Sequence, residues 1–114
     1  MKIYACWVYV SDLQKSIDFY TAIGFTVKFI DNDWVEFNLG ETSFAILQRP
    51  ADKGKVTPEK TRIMFMVDDI ESMYETLKQQ NVTLIGNIRD ESYGKLLTFA
   101  DPDGHWLEFF QIKK

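Results

Sequence analysis

The most informative segment of the chain is Phe99-Ala-Asp-Pro-Asp-Gly-His-Trp-Leu-Glu-Phe-Phe-Gln111. Its segment Asp101 to Gly104 is typical of a tight turn, since proline fixes φ, aspartate bonds the local backbone and glycine tolerates positive φ. The residues from Trp106 to Phe110 have strong strand character, with Glu108 in the middle. We therefore predict a strand end, a turn and a closing strand, with a carboxylate among aromatic residues that needs an explanation.

Toward the N-terminus, the first half of the chain predicts the order β-α-β-β-β. The apolar run Ile3–Val10 predicts a strand, and Ser11 and Gln14 have the spacing of a capping box at the start of a helix. Apolar residues at helical spacing extend that helix over residues 12–22, and Gly24 has the position of a left-handed stop. Alternating segments then predict three strands, over residues 25–30, 34–39 and 43–48.

The second half repeats this pattern. Val10-Ser-Asp-Leu-Gln14 aligns with Val67-Asp-Asp-Ile-Glu71 at an offset of 67 − 10 = 57 residues. Asn81 takes the place of the helix stop, and strands are predicted over residues 62–67, 82–85, 96–100 and 106–112, with a loop over 86–94. We infer an internal duplication, with module one over residues 1–49, a connection over 50–60 and module two over 61–114.

Composition excludes several classes of protein. The net charge is 13 − 17 = −4 with no basic block, which argues against a nucleic-acid partner. No apolar run approaches the roughly 18 residues of a membrane span, and the N-terminus lacks the apolar segment of a signal peptide. We expect a cytoplasmic protein without a membrane partner. The single cysteine, Cys6, is expected to be a small buried residue.

The chain resembles the vicinal oxygen chelate superfamily, which includes glyoxalase I, extradiol dioxygenases and the fosfomycin- and bleomycin-resistance proteins. The resemblance is carried by Val10-Ser-Asp-Leu-Gln-Lys-Ser-Ile-Asp-Phe-Tyr20, Ile23-Gly-Phe25 and Asp101-Pro-Asp-Gly-His-Trp-Leu-Glu108. It implies one α+β domain over residues 1–114, built from two βαβββ modules. The mixed sheets would curl into cups, completed in a homodimer, and each cup would bind a small molecule.

The resemblance also implies where a metal would lie. In metal-dependent members, a divalent metal is held by four positions in the first and last strands of the modules, which correspond here to Ala5, Ile46, Arg62 and Glu108. Alanine and isoleucine offer no ligand atom, and arginine does not deprotonate at working pH. We therefore expect no metal cofactor, and we place His105 in the turn or at the surface.

Without a metal, Glu108 is expected to pair with Arg62 across the cup. Two interpretations of this pair stay open: a structural ion pair, or an arginine that offers its fork to a ligand's carboxylate or phosphate. Strand alternation from residues 5, 62 and 108 predicts a cavity with aromatic and thioether walls, although these side chains could equally fill the core. The predicted ligand-binding residues are Trp7, Tyr9, Phe44, Arg62, Met64, Trp106, Glu108 and Phe110.

Glu36 is expected to be half-exposed.

The favoured function is binding of a small aromatic or amphipathic molecule in a dimeric cup without the metal centre. The alternative is a metal-dependent lyase, isomerase or dioxygenase of the same superfamily, with Glu108 as the remaining metal ligand or catalytic base. A protein-binding module without a ligand is a third possibility. The sequence predicts neither the ligand nor whether the protein is an enzyme.

Overall fold

A computed structural model of the protein describes residues 3–58 and 62–113 and divides into two compact units, Met1–Thr57 and Pro58–Lys114. The first unit contains β1 (Ala5–Val10), α1 (Leu13–Ala22), β2 (Val27–Asp31), β3 (Trp34–Leu39) and β4 (Thr42–Gln48). The second contains β5 (Ile63–Met66), α2 (Ile70–Gln79), β6 (Thr83–Glu91), β7 (Gly94–Ala100) and β8 (Trp106–Ile112). The predicted α+β fold of two βαβββ modules is confirmed. Within the described residues 3–58 and 62–113, no helix is long and apolar enough to cross a membrane.

The two units have the same sheet topology. Each forms a four-stranded mixed sheet, in the order β1-β4-β3-β2 in the first unit and β5-β8-β7-β6 in the second. The first strand of each unit runs parallel to the last strand, whereas the other neighbours are antiparallel. The helix follows the first strand directly and packs on one face of its sheet, so the opposite face receives no cover from it.

Two side chains fix the start of α1. The carboxylate of Asp12 accepts a hydrogen bond from the amide of Lys15 at 3.1 Å, so Asp12 is the N-cap rather than the predicted Ser11. The side-chain oxygen of Gln48, at the end of β4, accepts from the amide of Leu13 at 2.8 Å. The last strand therefore satisfies a free amide of the helix that covers its sheet.

The start of α2 is fixed by the same two kinds of hydrogen bond, one from an N-cap aspartate and one from a glutamine at the end of the last strand. Asp69 accepts from the amide of Ser72 at 3.1 Å, and the side-chain oxygen of Gln111 accepts from the amide of Ile70 at 2.8 Å. Two residues after the last residue of each helix lies the predicted residue with positive φ, Gly24 at 114° in the first unit and Asn81 at 57° in the second. The repeat seen in the sequence thus extends to individual hydrogen bonds.

The core of the first unit lies between α1 and one face of the sheet. Tyr20 of the helix is fully buried, and its ring centre lies 5.5 Å from that of Phe37 and 5.2 Å from that of Phe44. The prediction that Phe44 lines the ligand cavity is wrong. In register, Phe44 lies beside Cys6 and opposite Phe37, so its side chain shares the helix-covered face.

The opposite face of each sheet carries a different set of side chains, and we call it the open face of that unit. Strand alternation and register define the two sets. The first open face contains Ala5, Trp7, Tyr9, Phe29, Asp31, Trp34, Glu36, Asn38, Ser43, Ala45 and Leu47. The second contains Arg62, Met64, Met66, Thr83, Ile85, Arg89, Glu91, Gly94, Leu96, Thr98, Ala100, Trp106, Glu108, Phe110 and Ile112.

Two further local predictions are wrong. Residues 86–94 are not a loop, because β6 continues to Glu91 across a register shift between Ile85 and Arg89. Cys6 is exposed rather than buried, because β1 is an edge strand of its sheet.

The assignment of faces predicts different costs for two aromatic truncations. Phe44→Ala should lower the free energy of unfolding by about 3–5 kcal/mol, because the buried ring would leave a cavity in the core. Trp7→Ala, at a residue that is 44% exposed, should cost about 1 kcal/mol, mostly from lost ring contacts with its neighbours. Urea unfolding of both variants measures this, and equal losses would contradict the assignment.

Candidate functional site

The second open face is centred on the carboxylate of Glu108, a residue that is only 7% exposed. Arg89 donates to Oε2 of Glu108 at 2.9 Å and to the hydroxyl of Thr98 at 3.2 Å. That hydroxyl in turn lies 3.4 Å from the same carboxylate oxygen. The predicted partner, Arg62, lies 3.8 Å from Oε1, which is an ion-pair distance but too long for a hydrogen bond.

Arg89 is the partner that sequence reasoning missed. Its segment contains Gly86 and several polar residues, and it was therefore assigned to a loop. In the structure, the register shift in β6 places Arg89 opposite Leu96, on the same face as Glu108. The length of the segment could have indicated the strand, since a longer β6 and β7 joined by a tight turn at Ser92 and Tyr93 also account for these residues.

The cluster around Glu108 carries a net positive charge. Its carboxylate is shared by two guanidinium groups, which leaves a formal charge of +1 on these three side chains, and the side chains of Arg62 and Arg89 remain 45% and 41% exposed. Glu91, an exposed carboxylate at the end of β6, lies on the same face. The guanidinium carbon of Arg62 also lies 5.2 Å from the ring centre of Trp106, within range of a cation–π interaction. This face therefore offers two accessible guanidinium donors beside an aromatic ring.

The predicted ligand-binding residues divide between the two units. Strand alternation places Arg62, Met64, Trp106, Glu108 and Phe110 together on the second open face. Trp7 and Tyr9 lie on the first open face, with ring centres 5.1 Å apart.

The first-unit counterpart of Glu108 is not the predicted Ile46. Glu108 is paired with Met64 in register, and the repeat offset of 57 relates Met64 to Trp7, which is paired with Ala45. Ile46 is fully buried on the opposite, helix-covered side. The prediction failed because the connections differ in length, so the offset has grown to 108 − 45 = 63 residues at the last strand.

The first open face holds a different buried carboxylate, Glu36, which is 1% exposed rather than half-exposed. Its Oε1 accepts from the hydroxyl of Tyr4 at 2.5 Å and from the indole of Trp34 at 3.1 Å. Burial alone would raise the pKa of Glu36. Hydrogen bonds from Tyr4 and Trp34, the nearby Ser43 hydroxyl and the charge of Lys28 outweigh it, so the pKa is lowered.

The turn before β8 brings three potential metal ligands together. One ligand atom each from Asp101, Asp103 and His105 lies within 4.8 Å of the others. The carboxylate of Asp101 accepts from the backbone amides of Asp103 at 3.0 Å and His105 at 2.9 Å, which holds the turn. His105 lies in the predicted turn, but it is fully buried there and does not lie at the surface.

The sequence profile of the glyoxalase/bleomycin resistance protein/dioxygenase superfamily matches residues 2–109. The chain belongs to this superfamily. It is similar to proteins named metallothiol transferase FosB from Lysinibacillus sphaericus, with 34% identity over 88% of this chain and 74% of that protein, and from Staphylococcus epidermidis, with 31% identity over 87% and 73%. A solved member of the superfamily from Sphaerobacter thermophilus has a TM-score of 0.78 at 23% identity, covering 97% of both chains. That likeness supports the fold.

The expectation that this superfamily member has no metal cofactor is overturned by two findings. The matched relatives are named metallothiol transferases, and Asp101, Asp103 and His105 form a group of carboxylate and imidazole ligands. This mixed donor set fits a divalent cation, whereas the carboxylate of Glu108 is already paired with two guanidinium groups. The prediction failed because it relied on the four strand positions and favoured a turn or surface role for His105 over a ligand role.

Proposed function

We propose that the protein binds a small organic molecule on the second open face, and that this molecule joins an aromatic or amphipathic part to an anionic group. The main support for the proposal is the unbalanced positive charge at Glu108, where two exposed guanidinium groups share one carboxylate. A guanidinium can bind a ligand's carboxylate or phosphate with two parallel hydrogen bonds.

The remaining side chains of this face suit the organic part of such a ligand. Met64 and Trp106 are 49% and 43% exposed, although large apolar side chains usually lie buried. Aromatic rings and thioethers adapt well to planar or amphipathic molecules.

We propose, in addition, that the protein acts as a homodimer, because a second copy would cover exposed apolar surface on the open faces.

Replacing Arg62 tests the anion site. We expect isothermal titration calorimetry to show that benzoate binds more tightly than its neutral analogue benzamide. Arg62→Ala should weaken benzoate binding about tenfold, as expected for a lost charge-assisted hydrogen bond. The matched control is Lys78→Ala, which removes an equal charge from α2, away from the open face.

Unchanged benzoate affinity in Arg62→Ala would contradict the proposal, and so would equal binding of benzoate and benzamide. The calorimetric stoichiometry also separates one site per chain from nonspecific association.

A second candidate function is metal-dependent chemistry, favoured by the names of the relatives and by the ligand group in the turn before β8. Asp101, Asp103 and His105 would hold the cation there. A bound divalent cation would supply Lewis-acid polarisation of a ligand oxygen or sulfur. Glu108 then keeps a positioning role toward the arginines.

Metal content of variants tests which residues hold the cation. We expect the purified protein, dialysed against a divalent metal, to retain it, and Asp103→Asn and His105→Ala to lose most of it, because each removes a ligand. Glu108→Gln is the matched control and should retain the metal. Elemental analysis by mass spectrometry measures the metal-to-protein ratio, and loss in Glu108→Gln with retention in the other two variants would contradict this assignment.

A further inference from the structure

Glu36 is a buried carboxylate that the rest of the fold only half satisfies. The hydroxyl of Tyr4 and the indole of Trp34 both donate to the same oxygen, Oε1, and the nearby Ser43 hydroxyl also stabilises the charged carboxylate. Among residues 3–58 and 62–113, no hydrogen-bond donor reaches the buried Oε2. An unsatisfied buried charge is costly, so an oxygen in this position has an unmet capacity to accept a hydrogen bond.

The fold does not require a carboxylate at this position. Glu36 pairs in register with Ala45, and in the second unit the residue that pairs with Glu108 in the same way is Thr98. The matching place in the repeated sheet is thus occupied by a neutral threonine. Because a buried ion pair is weak evidence for stability, the carboxylate of Glu36 calls for an explanation beyond folding.

The only cation near Oε2 in the described part of the first unit is the ammonium of Lys28, at 4.0 Å. This distance allows electrostatic attraction but is too long for a hydrogen bond. The lysine side chain is 44% exposed, on a strand at the edge of the sheet. Lys28 can therefore leave Glu36 for solvent at little cost, and another ammonium group could replace it.

Aromatic rings line the approach to Glu36. The indole of Trp34 donates to the carboxylate, and the ring centre of Trp7 lies 6.0 Å from that of Trp34. The ring of Tyr9 lies 5.1 Å beyond Trp7 and already holds the guanidinium of Arg49, whose carbon lies 4.6 Å from the ring centre, so Trp7 and Trp34 are the rings that a ligand would contact. Rows of aromatic rings that end at a carboxylate recognise organic ammonium groups, because the ring faces attract the cation and the carboxylate neutralises it.

We propose that the first open face is a binding site for an organic ammonium group, which displaces Lys28 and donates a hydrogen bond to Oε2 of Glu36 while its organic part packs on Trp7 and Trp34. This site is separate in charge and in residues from the anion site on the second open face. It would bind a protonated primary, secondary or tertiary amine rather than a quaternary one, because Oε2 needs an N–H donor.

Calorimetry with benzylammonium and the neutral benzyl alcohol tests this site in the full chain. We expect benzylammonium to bind at least tenfold more tightly than the alcohol. Glu36→Gln should weaken benzylammonium binding at least tenfold, since it removes the charge with little change in shape. Glu41→Gln, which neutralises an exposed carboxylate in the turn between β3 and β4, is the matched control and should bind like the original protein.

A second variant separates ligand recognition from a fault in folding. Lys28→Ala should bind benzylammonium more tightly than the original protein, because the competing ammonium is gone. Equal affinity for the two probes would overturn the proposal, as would full binding by Glu36→Gln, or unchanged or weaker binding by Lys28→Ala.

Discussion

One helix of ten residues covers only one face of each four-stranded sheet, and the rest of the structure depends on this constraint. The covered face buries its aromatic residues against the helix, as Tyr20 does with Phe37 and Phe44. The open face carries tryptophan, methionine and charged side chains instead. All three tryptophans of the chain lie on open faces. Large apolar side chains on an uncovered face are expected of a surface that binds a ligand or a partner, rather than of one that forms the core.

The two units keep one scaffold and differ in the chemistry of their open faces. The N-cap aspartate and the strand-end glutamine recur in both, because each satisfies free amides at the start of the covering helix. Each open face has a buried carboxylate, but the two carboxylates do not lie at equivalent positions of the repeated sheet. One lies on the last strand of the second unit, at Glu108, and the other on the neighbouring strand of the first, at Glu36.

This shift of a carboxylate by one strand changes the charges around it, and we propose that it changes what each face binds. Glu108 is paired with two arginines, which favours an anionic ligand, whereas Glu36 lies beside tryptophan rings with the ammonium of Lys28 4.0 Å away, which favours a cationic one. On this proposal, an internal duplication yields two binding faces of opposite preference without a change in topology.

The sequence predicted the element order, the repeat and the C-terminal stops of both helices, because stop residues and hydrophobic periodicity are local signals. Its errors share a cause, since they concern which strand positions face each other. Phe44 and Ile46 were assigned to the open face because the register of β4 depends on connection lengths that no local pattern reveals. Arg89 was missed because a register shift in β6 resembles a loop in sequence, and His105 because its burial depends on tertiary packing.

The most direct test of the account follows the three indole N–H resonances of the ¹⁵N-labelled protein by NMR during separate titrations with benzoate and benzylammonium. If the open faces are the binding surfaces, benzoate will shift the indole of Trp106, and benzylammonium will shift those of Trp7 and Trp34. Shifts confined to the amides of α1 and α2, with all three indole resonances unmoved at saturation, would contradict it.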